Sequence, residues 1–235
     1  MNHTEELLER WEAIHEIENL MGRRAAMLLT IQDDTVFDTM WTRNEPCLGF
    51  NHGYYKGYEA VAGFFKALRE YQLLRAKMAI QQNPELAGKT PEELLGVGAL
   101  HGNNLTTPVI ELAGDGKTAK GLWYVLDGEV DYGPTGYGAH HCLGRIGADF
   151  IREDGGWKIW HLVYAEDVRV PMGESWTDAP TEHPVVNQEL AEYRMPEPNV
   201  PMEVHESWHR RRVFKPFPPV PAAYETFADT FSYGV

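Results

Sequence analysis

The sequence predicts an α+β domain in which N-terminal helices pack on an antiparallel sheet, followed by an extended arm. Apolar residues recur at helical spacing through the first third of the chain, and strand-like segments separated by turn signals follow residue 97. Ten of the fifteen prolines come after residue 170, where no long periodic segment is found. We therefore expect one domain over residues 1–170 and a proline- and aromatic-rich C-terminal arm over residues 171–235, packed on the domain or on a neighbouring subunit.

The first helix is predicted from spacing. Apolar residues lie three and four positions apart on one face, and Thr4 can cap the helix before acidic residues in its first turn. This pattern is typical of an amphipathic helix at the surface of a domain. The residues expected on its buried face are Leu7, Trp11, Ile14, Ile17, Met21, Ala25 and Leu28.

Further helices and a hairpin complete the first half of the domain. A short helix is predicted over residues 34–41 and a long one over residues 57–82, where Pro84 stops it. Residues 47–55 between them have the pattern of a strand or hairpin. A capping box with proline at the first helical position predicts one more short helix over residues 91–95.

Strand signals dominate the segment after residue 97. Turns rich in glycine and aspartate separate the strands, which favours an antiparallel meander. The predicted strands cover residues 106–112, 119–126, 142–152 and 157–168. Regular alternation in the last strand would place Trp157, Ile159, His161, Val163 and Ala165 on one face, and Trp160, Leu162, Tyr164 and Glu166 on the other. Because both faces are partly apolar, helices should cover one face, and a cavity or a partner subunit the other.

Composition excludes several classes of partner. A formal net charge of −14 with a pI near 5.1 repels nucleic acid, and a single run of three arginines is too short to offset it. The chain begins without an apolar leader segment and contains no apolar stretch long enough for a membrane span. Its two cysteines, Cys47 and Cys142, are too few for a disulfide framework. We expect a cytoplasmic protein that binds neither nucleic acid nor membrane.

Two histidine motifs look like metal sites, but their context favours neither. His205 and His209 fit the HExxH pattern of zinc proteases, yet Pro201 precedes them closely and three arginines follow, so a buried helix is not expected there. His140 and His141 are adjacent in a strand, so their rings point to opposite faces and cannot bind one ion together. The sequence therefore predicts no metal and no cofactor.

Side chains alternate between the two faces of a strand, and this alternation (parity) places candidate catalytic residues on common faces. His101 and Asn103 share a face of one strand, and Trp123 and Asp127 share a face of the next. If both faces line one cavity, an imidazole, an amide and a carboxylate meet between apolar walls. Such surroundings raise the pKa of a carboxyl group and permit proton transfer at neutral pH. Each residue also has a structural interpretation, in which His101 closes a polar loop and Asp127 opens a turn.

The strand segments resemble a known family. Residues 107–111 (TPVIE), 118–124 (TAKGLWY) and 149–159 (DFIREDGGWKI) are similar to the SnoaL-like branch of the nuclear transport factor 2-like (NTF2-like) superfamily, to which bile-acid 7α-dehydratase and scytalone dehydratase belong. The resemblance spans residues 6–170. It implies a cone-shaped fold in which the helices pack on a curved sheet and enclose a deep pocket.

The resemblance carries over only part of the dehydratase machinery. Asp127 matches the catalytic aspartate of the family, whereas the catalytic histidine falls on Asn103, with His101 as the nearest substitute. Asp33 could hold the aspartate position of the first helices, and the late arginine of the family falls on Glu166. The residues that we expect in catalysis are His101, Asp127, Asn103, Tyr55 and Tyr124, and those expected to bind substrate are Trp41, Trp123, His140, His141, Tyr164 and Glu166.

The predicted function is a lyase, foremost a dehydratase that acts on a hydroxylated aromatic or polycyclic molecule. His101 would be the base, oriented by Asp127, while Tyr54, Tyr55 or Tyr124 donates a proton to the leaving hydroxyl. Alternatives in the same pocket are a C–C lyase that releases formaldehyde, an isomerase or a polyketide cyclase. A binding protein without turnover is the alternative from another class. The arm and the two apolar sheet faces favour a homodimer or homotrimer.

Overall fold

A computed structural model describes residues 3–133, 136–178, 195–202 and 207–235. Helices α1 (His3–Leu29), α2 (Asp33–Met40) and α3 (Tyr58–Gln82) lie where the spacing of apolar residues predicts them. They pack on one face of a single large sheet, so the predicted α+β class and its cone-shaped NTF2-like arrangement are confirmed.

The sheet has eight strands. Their order is β2-β1-β8-β7-β6-β3, and β4 and β5 also pair with β6. All neighbours are antiparallel except β1 and β8, which run parallel. The strands are β1 (Cys47–Phe50), β2 (Gly53–Lys56), β3 (Leu100–His101), β4 (Asn104–Leu105), β5 (Val109–Leu112), β6 (Thr118–Gly133), β7 (Gly136–Glu153) and β8 (Gly156–Pro171).

The predicted short helix over residues 91–95 is wrong. The capping box does form: the Thr90 backbone N–H donates to Glu93 Oε2 at 2.8 Å, and the Glu93 N–H donates to Thr90 Oγ1 at 3.2 Å. The segment nevertheless continues as consecutive turns, and Gly96 and Gly98 then adopt positive φ angles. A cap satisfies only the first donors of a helix, and so short a segment gains too few further bonds to offset the cost of nucleation.

The face of the sheet that the helices cover, here called the inner face, holds the main core. Phe150, Ile159 and Leu162 of β7 and β8 are almost completely buried against Ile17 and Met21 of α1 and the other core residues. The first turns of α1 differ from the prediction, because the side chains of Leu7 and Trp11 are exposed. The Trp11 ring stacks on His15 instead.

Alternation along β8 also differs from the prediction. The pairing with β7 shifts between Asp149 and Phe150, so one extra residue of β8 is accommodated near Trp160. Beyond this bulge, the residues that regular alternation would place on one face of the sheet lie on the other. Leu162, Tyr164 and Glu166 consequently lie on the inner face together with Trp157 and Ile159, whereas His161, Val163 and Ala165 lie on the opposite, outer face.

The described residues of the C-terminal arm pack on the sheet of their own chain. Val200 and Tyr54 exchange two backbone hydrogen bonds of 2.8 and 3.1 Å, which adds a bridge at the edge of β2. Tyr233, near the C-terminus, is buried on the outer face beside Val163. The arm therefore covers part of the face that the helices leave open.

Candidate functional site

A group of polar side chains occupies the end of the inner face where β6, β7 and β8 extend beyond the core. In the register of the sheet, Asp127 lies opposite Cys142, which lies opposite Arg169. Residues two positions away on each strand point to the same face and belong to the same group. We call it the polar row, and it consists of Asp127, Glu129, His140, Cys142, Tyr164, Glu166 and Arg169.

Arg169 connects the charged members of the polar row. Its Nη1 lies 2.5 Å from Glu129 Oε2 and 3.3 Å from Glu166 Oε2, and it donates to Cys142 Sγ at 3.3 Å. The side chains of Arg169 and Glu129 keep 22% and 20% of their surface exposed, so the row reaches solvent at this end. Glu166 is fixed through its backbone, because the Asn51 side chain accepts from its N–H at 2.9 Å and donates to its carbonyl at 2.8 Å.

Asp127 is the most buried carboxyl group of the row, with 7% of its surface exposed. Its Oδ1 has no hydrogen-bond partner among the described residues. Burial, reinforced by the nearby Glu129 carboxylate, raises the pKa of Asp127 to about 7, although the charge of His101 opposes the shift. The carboxyl group can therefore both donate and accept a proton near neutral pH.

His101 reaches the same face from the edge of the sheet. It pairs with Glu129 across β3 and β6, and directly opposite residues of an antiparallel pair point to the same side. The imidazole lies close enough to Asp127 and to Asp33 to lower the pKa of both carboxyl groups electrostatically. The structure thus places His101 on the same face of the sheet as Asp127, within electrostatic reach of Asp127 and of Asp33.

Asp33 is the first residue of α2. Burial raises its pKa, and the positive charges of His101 and Arg24 counteract this rise. Arg24 Nη1 is buried without a hydrogen-bond partner among the described residues, and desolvation lowers the pKa of the guanidinium to about 10. A shallow cleft opens beside Asp33, and it is lined by Ile31, Asp33, Asp34, Leu68, Arg69 and Gln72.

Tyr164 places a phenol at the inner end of the polar row. Its ring leans over Gly144, whose missing side chain leaves the space: a β-carbon at that position would lie 2.8 Å from Tyr164 Cε2. The hydroxyl group is buried and has no hydrogen-bond partner among the described residues. Burial, together with the nearby Glu166 carboxylate, raises the pKa of Tyr164 well above its usual value, so the phenol keeps its proton.

Several residues predicted for the site lie elsewhere. Tyr124 is on the outer face and half exposed, because it is an odd number of positions from Asp127 along the regular strand β6. His141 pairs with Gly128 and is on the outer face for the same reason. Tyr55 is buried in the core, where its hydroxyl donates to the Pro196 carbonyl at 2.7 Å.

The remaining predicted residues divide between the core and the edge of the sheet. Trp41 and Trp123 are buried in the main core, where they pack against Phe65 and Phe150 respectively. Asn103 lies in the break between β3 and β4, where its backbone N–H donates to the His101 carbonyl at 3.2 Å. Because Asn103 is outside a strand, parity does not determine where it points.

Other predicted site residues do lie in the polar row. His140 is opposite Glu129 on the inner face, and its Nδ1 is buried without a partner among the described residues. Tyr164 and Glu166 share this face. Sequence reasoning missed Glu129 and Arg169. Glu129 could have been found, since it is two positions after Asp127 on a regular strand.

The outer face contains a different polar cluster, formed by Ser232, His161, Asp149 and Lys120. Ser232 Oγ lies 3.0 Å from His161 Nδ1, and the same nitrogen lies 2.8 Å from Asp149 Oδ2. In a catalytic triad the serine and the aspartate contact different nitrogens of the imidazole. The cluster therefore does not have the geometry of an activated nucleophile, and it binds the arm to the sheet.

No group of three or more histidine, cysteine, aspartate or glutamate side chains among the described residues could hold a metal ion. Within the described ranges, no helix combines the length and the apolar character that crossing a bilayer requires. His205 of the HExxH motif lies outside the described residues.

The SnoaL-like domain family matches residues 9–163, about two thirds of the chain. The chain therefore belongs to the SnoaL-like domain family of the NTF2-like superfamily, as its strand segments predict. The family match ends before the C-terminal arm begins. A search of curated proteins finds no match.

Solved structures show the same fold at low sequence identity. The Kfla4162 protein of Kribbella flavida is 13% identical with a TM-score of 0.50, over 68% of this chain and 95% of that one. An NTF2-like protein with a cystatin-like fold from Novosphingobium aromaticivorans is 16% identical with a TM-score of 0.45, over 73% of this chain and 90% of that one. The hexachlorocyclohexane dehydrochlorinase LinA-type3 from Novosphingobium barchaimii is 14% identical with a TM-score of 0.47, over 72% of this chain and 95% of that one. Likeness at such identity concerns the fold and not the activity.

Proposed function

We propose that this protein is a cofactor-independent lyase, foremost a dehydratase, that acts on a hydroxylated hydrophobic small molecule by acid–base catalysis. The observation that carries the proposal is that His101 shares the inner face with a buried carboxyl group, Asp127, whose pKa is raised to about 7. Membership of the SnoaL-like family supports a small-molecule activity of the lyase or isomerase type. An acid and a base beside an apolar core are the groups that such reactions need.

The proposed reaction breaks a C–H bond and a C–O bond and forms a C=C bond. His101 accepts the proton from carbon, and the electron pair of the C–H bond becomes the new π bond. The leaving hydroxide takes a proton from Asp127 or from the Tyr164 phenol and departs as water. Elimination of water is redox-neutral, so the atoms and electrons balance without an oxidant or reductant.

Asp33 has a supporting role in this proposal. It approaches His101 from the helical side, whereas Asp127 approaches from the sheet. A carboxylate on one side stabilises the imidazolium that forms when His101 accepts the proton, which leaves Asp127 free to act as the acid. Tyr55 and Tyr124 do not serve as the acid here, because the first donates to Pro196 and the second lies on the outer face.

A panel of hydroxylated aromatic and polycyclic compounds, followed by mass spectrometry for loss of one water, tests the proposal. We expect turnover of at least one compound, and a loss of about 10²-fold or more in His101→Gln and in Asp127→Asn. Tyr124→Phe on the outer face is the matched control and should retain full activity. Loss of formaldehyde, or a product of unchanged mass, would assign a C–C lyase or an isomerase instead. Binding without turnover would assign a binding protein.

A further inference from the structure

The charged groups of the polar row do not balance. Among the described residues, the row contains three carboxyl groups, those of Asp127, Glu129 and Glu166, and one guanidinium group, that of Arg169. Both glutamates contact the same nitrogen of Arg169, at 2.5 and 3.3 Å, so one positive charge is shared between two carboxylates. The other nearby arginine, Arg24, lies on the helical side, where its charge acts on Asp33. The row therefore presents excess negative charge to any molecule that enters it.

The same row presents polar atoms that the described residues leave unsatisfied. Asp127 Oδ1, Tyr164 Oη and His140 Nδ1 are all buried without a hydrogen-bond partner in this part of the chain. Buried polar atoms without partners are rare in folded proteins. They destabilise the fold unless a ligand or a solvent molecule forms the missing hydrogen bond. The carboxyl and imidazole atoms can accept from a hydroxyl group, and the phenol can donate to one.

From these observations we infer that the polar row binds an uncharged, hydroxyl-bearing end of the substrate and rejects carboxylated analogues, with Glu129 and Glu166 as specificity-determining residues. A hydroxyl group can donate to Asp127 Oδ1 or His140 Nδ1, or accept from the Tyr164 phenol. A carboxylate in the same place would lose its hydration and face like charges that a single guanidinium does not offset. The inference rests on the proposed function, since it assigns the substrate class to the same site.

Glu166 is held firmly enough to discriminate between ligands. Its backbone N–H and carbonyl are both bonded to the Asn51 side chain, at 2.9 and 2.8 Å, and its carboxylate contacts Arg169. A charge that cannot move away imposes its repulsion fully on an incoming anion. Asn51 is thus a positioning residue for the specificity of the row.

The experiment compares two ligands of nearly equal size. One is a naphthalenediol, and the other is the hydroxynaphthoic acid in which a carboxyl group replaces one hydroxyl. Calorimetric binding is measured at pH above 7 on His101→Gln, which retains the polar row but should not turn over either compound. We expect the diol to bind at least ~10-fold more tightly than the acid. Addition of Glu166→Gln or Glu129→Gln to the His101→Gln variant should reduce this ratio of dissociation constants to ~3-fold or less.

The matched control is Glu111→Gln. Glu111 is a glutamate of the same sheet that pairs with Arg10 on α1, at 2.8 Å, and is not part of the polar row. This substitution removes one negative charge from the protein but should leave the binding ratio unchanged. Melting curves of all variants establish that each is folded.

The possible outcomes separate the inference from the proposed function. Equal or tighter binding of the acid, no binding of either ligand, or a ratio that Glu166→Gln and Glu129→Gln do not change would overturn the inference. Preference for the diol without turnover by the wild-type protein would support the inference and overturn the lyase proposal. If the protein turned over carboxylated substrates as fast as neutral ones, the lyase proposal would be supported and the inferred substrate class would be overturned.

Discussion

The ammonium group of Lys120 lies 2.5 Å from Asp149 Oδ1 on the outer face of the sheet, and both side chains are completely buried. The other oxygen, Asp149 Oδ2, accepts from the Tyr233 backbone N–H at 2.8 Å and from Ser232 Oγ at 3.1 Å. Burial of an ion pair costs desolvation energy, which only good geometry and additional hydrogen bonds can offset. The end of the chain supplies those bonds, so the arm and the ion pair depend on each other.

Replacement of one ion partner should therefore loosen the arm as well as destabilise the fold. In Lys120→Met the Asp149 carboxylate remains buried without its cation. Aromatic rings of the arm also surround the ammonium group, and the centroid of the Phe231 ring lies 4.5 Å from it. We expect a loss of about 3 kcal/mol in the free energy of unfolding, and faster proteolysis of the arm than in the wild type. Urea denaturation and limited proteolysis measure the two effects.

The control for this substitution is Arg10→Met. Arg10 forms an ion pair of similar length with Glu111, 2.8 Å, but its side chain is 41% exposed. Exposed pairs contribute less than about 1 kcal/mol. Equal losses in the two variants would show that burial of the Lys120 pair is energetically unimportant and that the arm does not depend on it.

The buried ion pair of the outer face could not be predicted from the sequence. The aromatic content of residues 171–235 predicts an ordered arm, but nothing in the segment TAKGLWY indicates that its lysine is buried, since charged residues rarely are. On the inner face, parity places His101 and Asp127 together because β6 pairs regularly over its whole length. The same argument fails on β8 between its two irregular positions, where the alternation is reversed and Leu162, Tyr164 and Glu166 lie on the inner face.

The raised pKa of Asp127 makes a prediction about stability and pH. Because the folded protein holds this pKa at about 7, above the value of an unfolded aspartate, the carboxyl group favours the folded state at low pH. This contribution is fully present below about pH 4 and is lost as the pH rises through 7. We expect Asp127→Asn to remove that dependence and to be more stable than the wild type by ~4 kcal/mol at pH 8, but not at pH 4.

Thermal unfolding over this pH range measures the effect for both proteins. Asp167→Asn is an informative contrast, because the Asp167 carboxylate is also buried but accepts from Arg145 Nε and Nη2, at 3.0 and 2.7 Å. Loss of that carboxylate should destabilise the protein at neutral pH. If Asp127→Asn unfolded at lower temperature than the wild type at pH 8, the ionised carboxylate would stabilise the folded state, which contradicts a raised pKa.

Association of subunits remains a prediction, and we expect a homodimer or homotrimer. Tyr124 and Leu126 are about half exposed side by side on the outer face of β6, beyond the part that the described residues of the arm cover. A stable interface there would bury at least roughly 1,000 Å². Light scattering at micromolar concentration should give a multiple of 26.7 kDa, and Tyr124→Asp should reduce the mass. A wild-type monomer would contradict the prediction.

The Tyr164 hydroxyl, which has no hydrogen-bond partner among the described residues, provides a test that separates function from stability. A buried phenol without a partner costs free energy in the folded state, so Tyr164→Phe should leave the stability unchanged within ~0.5 kcal/mol or increase it. If the hydroxyl contacts substrate in the polar row, the same substitution should lower turnover by about 10-fold or more. Tyr55→Phe should behave in the opposite way, since its hydroxyl donates to the Pro196 carbonyl: it should lose about 1 kcal/mol of stability and little activity. A destabilised but fully active Tyr164→Phe would show that the phenol is only a structural group.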